Sequence, residues 1–142
     1  MRYLGIDLGS KTVGLAISDP TLTIASSLKT IFFDNEDYKS TILEIKEIVT
    51  LYDVKKIILG LPKNMNNTLG ERAQITIEYK KLLEEEISIP VEFLDERLTS
   101  VISNSILIEA DMSRRKRKMK VDSIAAQIIL QDYLNKEKNK NE

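Results

Sequence analysis

Alternating apolar and polar positions at the start of the chain predict three consecutive β-strands. Residues 2–8 and 12–19 alternate with a period of two, and Gly9 and Ser10 between them suit a tight hairpin turn. A third short run covers residues 28–33. Because no segment of helical length separates these strands, we expect them to pair as an antiparallel meander.

The rest of the chain alternates between helical and strand patterns. Strands are predicted at residues 55–61 and 91–94. Helices are predicted after the acidic residues 34–37, at 70–86, at 98–110, and from 120 or 121 to 134. This order predicts an α/β fold, a five-stranded mixed sheet with three antiparallel and then two parallel strands, flanked by helices. We expect one domain over residues 1–135 and a charged, flexible tail over residues 136–142.

Composition narrows the chemistry that this chain can perform. The 142 residues contain no cysteine and no histidine. The usual zinc ligands and every mechanism with a histidine base are therefore excluded. An enzyme built from this chain must use carboxylates, Lys, Ser, Thr or Tyr, and its metal would be a hard cation, Mg²⁺ or Mn²⁺. With no apolar run of membrane length and no signal peptide pattern, we expect a cytoplasmic protein without membrane contact.

Asp7 is the residue in the first strand that is hardest to explain. Aspartate is depleted in strand interiors, and its neighbours here are apolar. A half-buried carboxylate needs a positive partner, such as a metal ion, a Lys or Arg side chain, or a group of backbone N–H donors. The small residues Gly5, Gly14 and Ala16 leave space on the sheet near it, which indicates close approach by a helix or a ligand.

Two further carboxylates can converge on Asp7. Glu96 follows the last predicted strand, and Asp122 opens the last predicted helix. Three carboxylates in one place repel each other, and divalent cations would resolve that repulsion. Two Mg²⁺ ions about 4 Å apart can support hydrolysis of a phosphodiester without histidine. Two simpler interpretations stay open: Asp122 could serve the helix dipole, and Glu96 could pair with Arg97.

Positive charge is concentrated just before Asp122. Residues 114–120 carry six of the 21 lysines and arginines, and the remaining 15 are outnumbered by 22 acidic residues. Focused basic charge is expected of a contact with a polyanion such as nucleic acid. The alternative is a solvated loop that happens to be basic. The residues concerned are Arg114, Arg115, Lys116, Arg117, Lys118 and Lys120.

The first hairpin also permits a different interpretation. Actin-like and sugar-kinase ATPases begin with a similar Asp-x-Gly hairpin that binds phosphate. Those enzymes need two such domains and a much longer chain, and no P-loop pattern occurs here. The sequence therefore favours an ATPase much less than a carboxylate-based site.

Four motifs together resemble the bacterial YqgF family. They are the first hairpin, Gly60-Leu61-Pro62, the stretch from Asp95 through Ser100, and the stretch from Val121 through Ala126. The family consists of ribonuclease-H-like proteins described as Holliday junction resolvases and as nucleases of pre-16S rRNA. The resemblance implies that Asp7, Glu96 and Asp122 form the acidic metal-binding triad, with Asp95 the neighbour most easily confused with Glu96. It also implies contacts with nucleic acid from Lys11, Thr12, Arg97 and Thr99.

Three functions follow from this sequence. The first is a Mg²⁺- or Mn²⁺-dependent endonuclease that matures the 5′ end of pre-16S rRNA, with precursor rRNA or ribosomal particles as partners. The second is a resolvase of branched DNA, for which a stable dimer would be expected. The third is a non-catalytic RNA-binding assembly factor that uses only the basic stretch. We expect a monomer or a weak dimer.

Overall fold

A computed structural model of the protein describes residues 1–9, 11–34, 37–61, 70–95 and 114–140. Five strands and three helices occur in these ranges, and the strands lie close to the positions that their alternation predicts. The strands are β1 (Arg2–Leu8), β2 (Thr12–Ser18), β3 (Ala25–Phe32), β4 (Val54–Leu61) and β5 (Val91–Asp95). The helices are α1 (Tyr38–Tyr52), α2 (Glu71–Glu86) and α3 (Arg114–Lys140). The helix predicted at residues 98–110 lies outside the described residues.

The five strands form one mixed sheet in the order β3-β2-β1-β4-β5. β2 pairs antiparallel with β1 and β3, whereas β4 pairs parallel with β1 and β5. The predicted fold class is therefore confirmed. β4 separates β1 from β5, so these two strands are about 10 Å apart at the usual strand spacing.

Alternation along the strands divides the core between the two faces of the sheet. Leu4, Ile6 and Leu8 of β1 belong to the larger cluster, which α1 and α2 cover. Tyr3 belongs to the smaller cluster, which α3 covers with Ala126, Ile129, Leu130 and Leu134. The face of β1 that carries Tyr3, Gly5 and Asp7 is thus the face under α3.

Helix α1 begins where the sequence predicts. Asp37 caps it by accepting a hydrogen bond from the Ser40 backbone N–H at 3.4 Å. It ends at Asp53, which adopts a left-handed conformation with φ of 55°.

The last helix differs from its predicted extent at both ends. It begins at Arg114, so the basic stretch is helical and is not a loop, and Asp122 lies inside the helix rather than at its start. Arg, Lys and Met are good helix formers, and no Gly or Pro interrupts residues 114–140. The helix also continues past Leu134 to Lys140, through most of the predicted tail. In the part of the chain described here, no helix has the length and apolar content that crossing a membrane requires.

Candidate functional site

Asp7 lies near the carboxyl end of the central strand. It is half-buried, and its partner across the β1–β2 ladder is Gly14. A glycine at this position leaves the sheet surface beside the Asp7 carboxylate without a side chain.

Helix α3 approaches β1 very closely at Gly5. A Cβ atom on Gly5 would lie 2.8 Å from the Ala126 carbonyl oxygen and 2.8 Å from the Leu130 Cβ atom. This confirms the predicted close approach of a helix at Gly5. Two residues earlier, the Tyr3 ring meets the Tyr133 ring edge to face, with centroids 6.1 Å apart. The helix thus runs antiparallel to β1, with its basic beginning toward the Asp7 end of the sheet.

Two glutamines of α3 attach the helix to the edge strand β3. The Gln131 side-chain oxygen accepts a hydrogen bond from the Ala25 backbone N–H at 2.8 Å, and its amide donates to the Thr23 carbonyl at 3.0 Å. The Gln127 amide donates to the Ala25 carbonyl at 3.1 Å. Sequence reasoning missed both residues, although two glutamines four positions apart, in and beside the apolar stretch 124–130 of the helix, are a usable signal. They satisfy backbone groups that an edge strand otherwise exposes.

The predicted metal ligands are described to different extents. The side chain of Asp7 is described, Asp122 is located through the backbone of α3, and Glu96 lies outside the described residues. β5 is described as far as Asp95, which pairs with Leu61. Among the described side chains, no three acidic groups lie close enough to hold a metal ion, but that set does not include two of the three predicted ligands. The triad therefore stays a prediction.

The predicted contacts with nucleic acid fall into three groups. Lys11 is exposed and Thr12 begins β2, so both lie at the Asp7 end of the hairpin. A backbone hydrogen bond of 2.7 Å from Gly9 N–H to the Thr12 carbonyl closes that turn. Arg97 and Thr99 lie outside the described residues. The basic residues, from Arg114 through Lys118 and Lys120, occupy the first two turns of α3.

Among the described carboxyl groups, Asp19 has the largest pKa shift. It lies in the loop between β2 and β3, at the other end of the hairpin from Asp7. Backbone N–H groups of Ile24, Thr23 and Thr21 and the Thr21 hydroxyl all donate to Asp19. The bond from Ile24 contributes most, and together these bonds hold the pKa of Asp19 well below its ordinary value. Ser18 pairs with Ala25 at this end of the sheet, whereas Asp7 pairs with Gly14 at the opposite end. We therefore interpret Asp19 as a structural residue that holds the β2–β3 loop in its conformation through these hydrogen bonds.

Comparison with known proteins identifies the family. The family model described as "RuvX: Holliday junction resolvase" matches residues 1–136. This protein belongs to the RuvX family. Membership confirms the family predicted from the four motifs and the predicted enzyme class, a nuclease.

Curated RuvX relatives match almost the whole chain. A protein of Clostridium beijerinckii named "Putative pre-16S rRNA nuclease" is 48% identical over 134 residues, which are 94% of this chain and 96% of the relative. A Streptococcus pneumoniae protein of the same name is 48% identical over 137 residues, which are 96% of this chain and 99% of the relative. The chain therefore spans the length of these relatives.

Two solved structures share the fold of this chain. Thermus thermophilus RuvC aligns with a TM-score of 0.59 at 13% identity, covering 98% of this chain and 97% of that chain. The fowlpox virus resolvase in complex with Holliday junction DNA aligns with a TM-score of 0.58 at 15% identity, covering 96% of this chain and 98% of that chain. These similarities confirm the predicted ribonuclease-H-like fold.

Proposed function

We propose that this protein is a divalent-metal-dependent endonuclease that matures the 5′ end of pre-16S rRNA. Asp7, Glu96 and Asp122 hold Mg²⁺ or Mn²⁺, and residues 114–120 bind the RNA backbone. The observation that carries the proposal is the position of Asp7, half-buried at the carboxyl end of the central strand on the face under α3. Ribosome maturation also assigns the protein to the cytoplasm.

The course of α3 supports Asp122 as a partner of Asp7. Moving along β1 from Tyr3 to Gly5, the contacts on α3 move from Tyr133 back to Leu130 and Ala126. Asp7 is two residues further along β1, or about 6.6 Å. Asp122 is four residues before Ala126 on α3, or about 6 Å along the helix. By this spacing along the two backbones, Asp7 and Asp122 occupy consecutive steps of the same strand–helix contact.

The position of β5 supports Glu96 as the third ligand. β4 and β5 run parallel to β1, so the carboxyl ends of all three strands lie at one edge of the sheet. Sites of α/β proteins gather at that edge. Glu96 follows directly after β5 in the sequence.

The available donor atoms fit a hard cation. The chain has no His or Cys, so carboxylate oxygens are its strongest metal ligands. When bound, such an ion lowers the pKa of a water molecule and stabilises negative charge on the phosphate oxygens. The carboxylates of this chain hold the ion, and the rigid strand and helix that carry Asp7 and Asp122 keep those carboxylates oriented.

The helical form of the basic stretch supports binding to a phosphate backbone. Six cations occupy the first two turns of α3, where the helix dipole is also positive. This arrangement is unfavourable until an anion neutralises it. Affinity for labelled precursor RNA should therefore fall steeply with salt, by at least about 10²-fold between 50 and 200 mM, because each neutralised phosphate releases a counterion.

Cleavage of a labelled RNA that spans the 5′ end of 16S rRNA tests the proposal. With Mn²⁺ present, we expect the wild type to cut this RNA and Asp7→Asn to abolish cutting. Asp132→Asn is the matched control, because Asp132 is an exposed carboxylate further along α3. Normal cutting by Asp7→Asn would overturn the site assignment.

Resolution of branched DNA is the second candidate, favoured by the description of the family model. Activity on a four-way junction without activity on precursor RNA, together with a stable dimer, would select it. A non-catalytic assembly role is the third candidate. In that case Asp7→Asn would keep full function in cells, and only charge reversal within residues 114–118 would remove it.

A further inference from the structure

Lys56 of β4 lies at a junction of four elements at the other end of α3. Its Nζ atom donates to the Tyr133 hydroxyl at 2.9 Å and forms ion pairs with Glu92 at 3.3 Å and Glu137 at 3.5 Å. The same ammonium lies over the rings of Tyr3 and Tyr133, 5.2 and 5.3 Å from their centroids. One cation thus joins β1, β4, β5 and α3.

Polar contacts outweigh the burial of Lys56 and keep it charged in the junction. The Lys56 side chain is only 18% exposed. This burial opposes the charge of Lys56, but the hydrogen bond and charge interactions with Tyr133, followed by Tyr3 and Glu92, outweigh it and raise the pKa of Lys56. Burial, and then the hydrogen bond to Glu92, raise the pKa of Tyr133 to about 12. Both groups therefore keep their protons at neutral pH, so the Lys56 ammonium pairs with Glu92 and Glu137 while the Tyr133 hydroxyl accepts from Lys56 and donates to Glu92.

The apolar contacts of α3 fix its distance from the sheet better than its position along β1. Ala126, Ile129 and Leu130 present aliphatic surfaces without directional bonds. Directional bonds come from the two glutamines on the β3 side and from the Lys56 junction on the β4 side. Tyr133 is eleven residues from Asp122, about 16 Å along one continuous helix. A slip or tilt at Tyr133 therefore displaces Asp122.

We propose that Lys56 is a positioning residue for the nuclease site, which acts by fixing α3, and with it Asp122, relative to Asp7. This inference rests on the proposed function. It also explains a half-buried lysine that lies near the opposite end of α3 from the basic stretch.

Replacement of Lys56 by Met tests the proposal, because Met keeps most of the aliphatic stem and removes the charge. We expect kcat on the labelled precursor RNA to fall about 10- to 100-fold, since a displacement of about 1 Å can reduce the rate by that factor. KM should stay unchanged, because the basic stretch is intact, and Mn²⁺ should bind more weakly in calorimetric titration without RNA. Lys56→Arg keeps the positive charge and should restore most of the kcat and most of the Mn²⁺ affinity.

Two further variants keep the test decisive. Lys55→Met removes the neighbouring charge, which pairs with the exposed Asp53, and should behave as wild type. Tyr133→Phe keeps the ring and removes the hydroxyl, so it should reproduce the Lys56→Met defect even if Lys56→Met folds poorly. All measurements are made well below the unfolding transition of each variant, as checked by circular dichroism.

The outcomes separate the inference from the proposed function. In the first outcome, Lys56→Met and Tyr133→Phe both melt at a lower temperature but keep the wild-type kcat and Mn²⁺ affinity. Lys56 would then have only a structural role, and this inference would be overturned while the proposed function stands. A wild type that neither cuts the RNA nor binds Mn²⁺ in an Asp7-dependent way would overturn both.

Discussion

Replacing Gly5 by alanine tests the close contact between β1 and α3. The new Cβ atom would lie 2.8 Å from both the Ala126 carbonyl oxygen and the Leu130 Cβ atom. Carbon atoms in good contact are about 3.5–4.0 Å apart. The helix must therefore retreat by at least about 0.7 Å, because a backbone carbonyl in the middle of a helix cannot turn aside alone.

The expected loss of stability follows from two opposing effects. Overpacking a well-filled core typically costs about 1–3 kcal/mol. Alanine restricts the unfolded chain more than glycine does, which offsets about 0.4–1 kcal/mol. The net loss should be about 1–2 kcal/mol, and Gly5→Val should lose more. With a urea dependence of about 2 kcal/mol/M, the Gly5→Ala midpoint should fall by about 0.5–1 M.

Equilibrium unfolding in urea, followed by far-ultraviolet circular dichroism, measures this change. Ser27→Ala, at an exposed position of β3, is the control and should keep the wild-type midpoint. A Gly5→Ala midpoint equal to that of the wild type would refute the close packing of α3 on β1. It would also remove the strand–helix correspondence that relates Asp7 to Asp122.

Three other changes should have measurable effects on folding. Asp37→Ala removes the cap on Ser40 and should cost about 0.5–1 kcal/mol in urea unfolding; no change would mean that the cap is not formed. Tyr79→Phe removes the buried 2.7 Å hydrogen bond to Thr41 and should cost about 1–2 kcal/mol by the same assay, whereas a gain in stability would contradict that bond. Asp19 has a folded pKa below its ordinary value of 3.8, so its stabilising effect is complete above that pH and is lost as the pH falls toward the folded pKa. The stability difference between wild type and Asp19→Asn should thus be constant above about pH 5 and shrink below about pH 4 in thermal unfolding, and a difference that grows in acid would contradict this assignment.

Local patterns in the chain were sufficient to predict most of the sheet. The predicted bounds of β1, residues 2–8, are the observed ones. Both signals that define them, the alternation of apolar and polar residues and the glycine turn, depend only on neighbouring positions in the sequence. The division of β1 into the Leu4 face and the Tyr3 face follows from the same alternation. The four motifs also identified the family, and Asp7 stood out because a carboxylate in an apolar strand conflicts with its local propensity.

The start of α3 was mispredicted for an equally local reason. A run of six cations was interpreted as a loop because of its charge, although its residues have high helix propensity and no helix breaker follows. In the structure, Asp122 therefore lies in the interior of α3 and not in the first turn, where it was predicted. The interpretation of Asp122 as a favourable partner for the helix N-terminus loses its basis, because the dipole effect falls off within the first turn.

The contacts that hold α3 on the sheet depend on the tertiary structure alone. Ala25 and Gln131 are 106 positions apart, and Lys56 and Tyr133 are 77 positions apart. Periodicity shows which face of a helix is apolar, but it does not show which strand that face crosses or where along the strand it stops. Those two quantities are set by the order of the strands, by the gap that Gly5 leaves for the helix, and by the bonds that Gln127, Gln131 and Lys56 make across the interface. The sequence therefore determined the elements and the chemistry available to this protein, and packing decided which distant residues could meet.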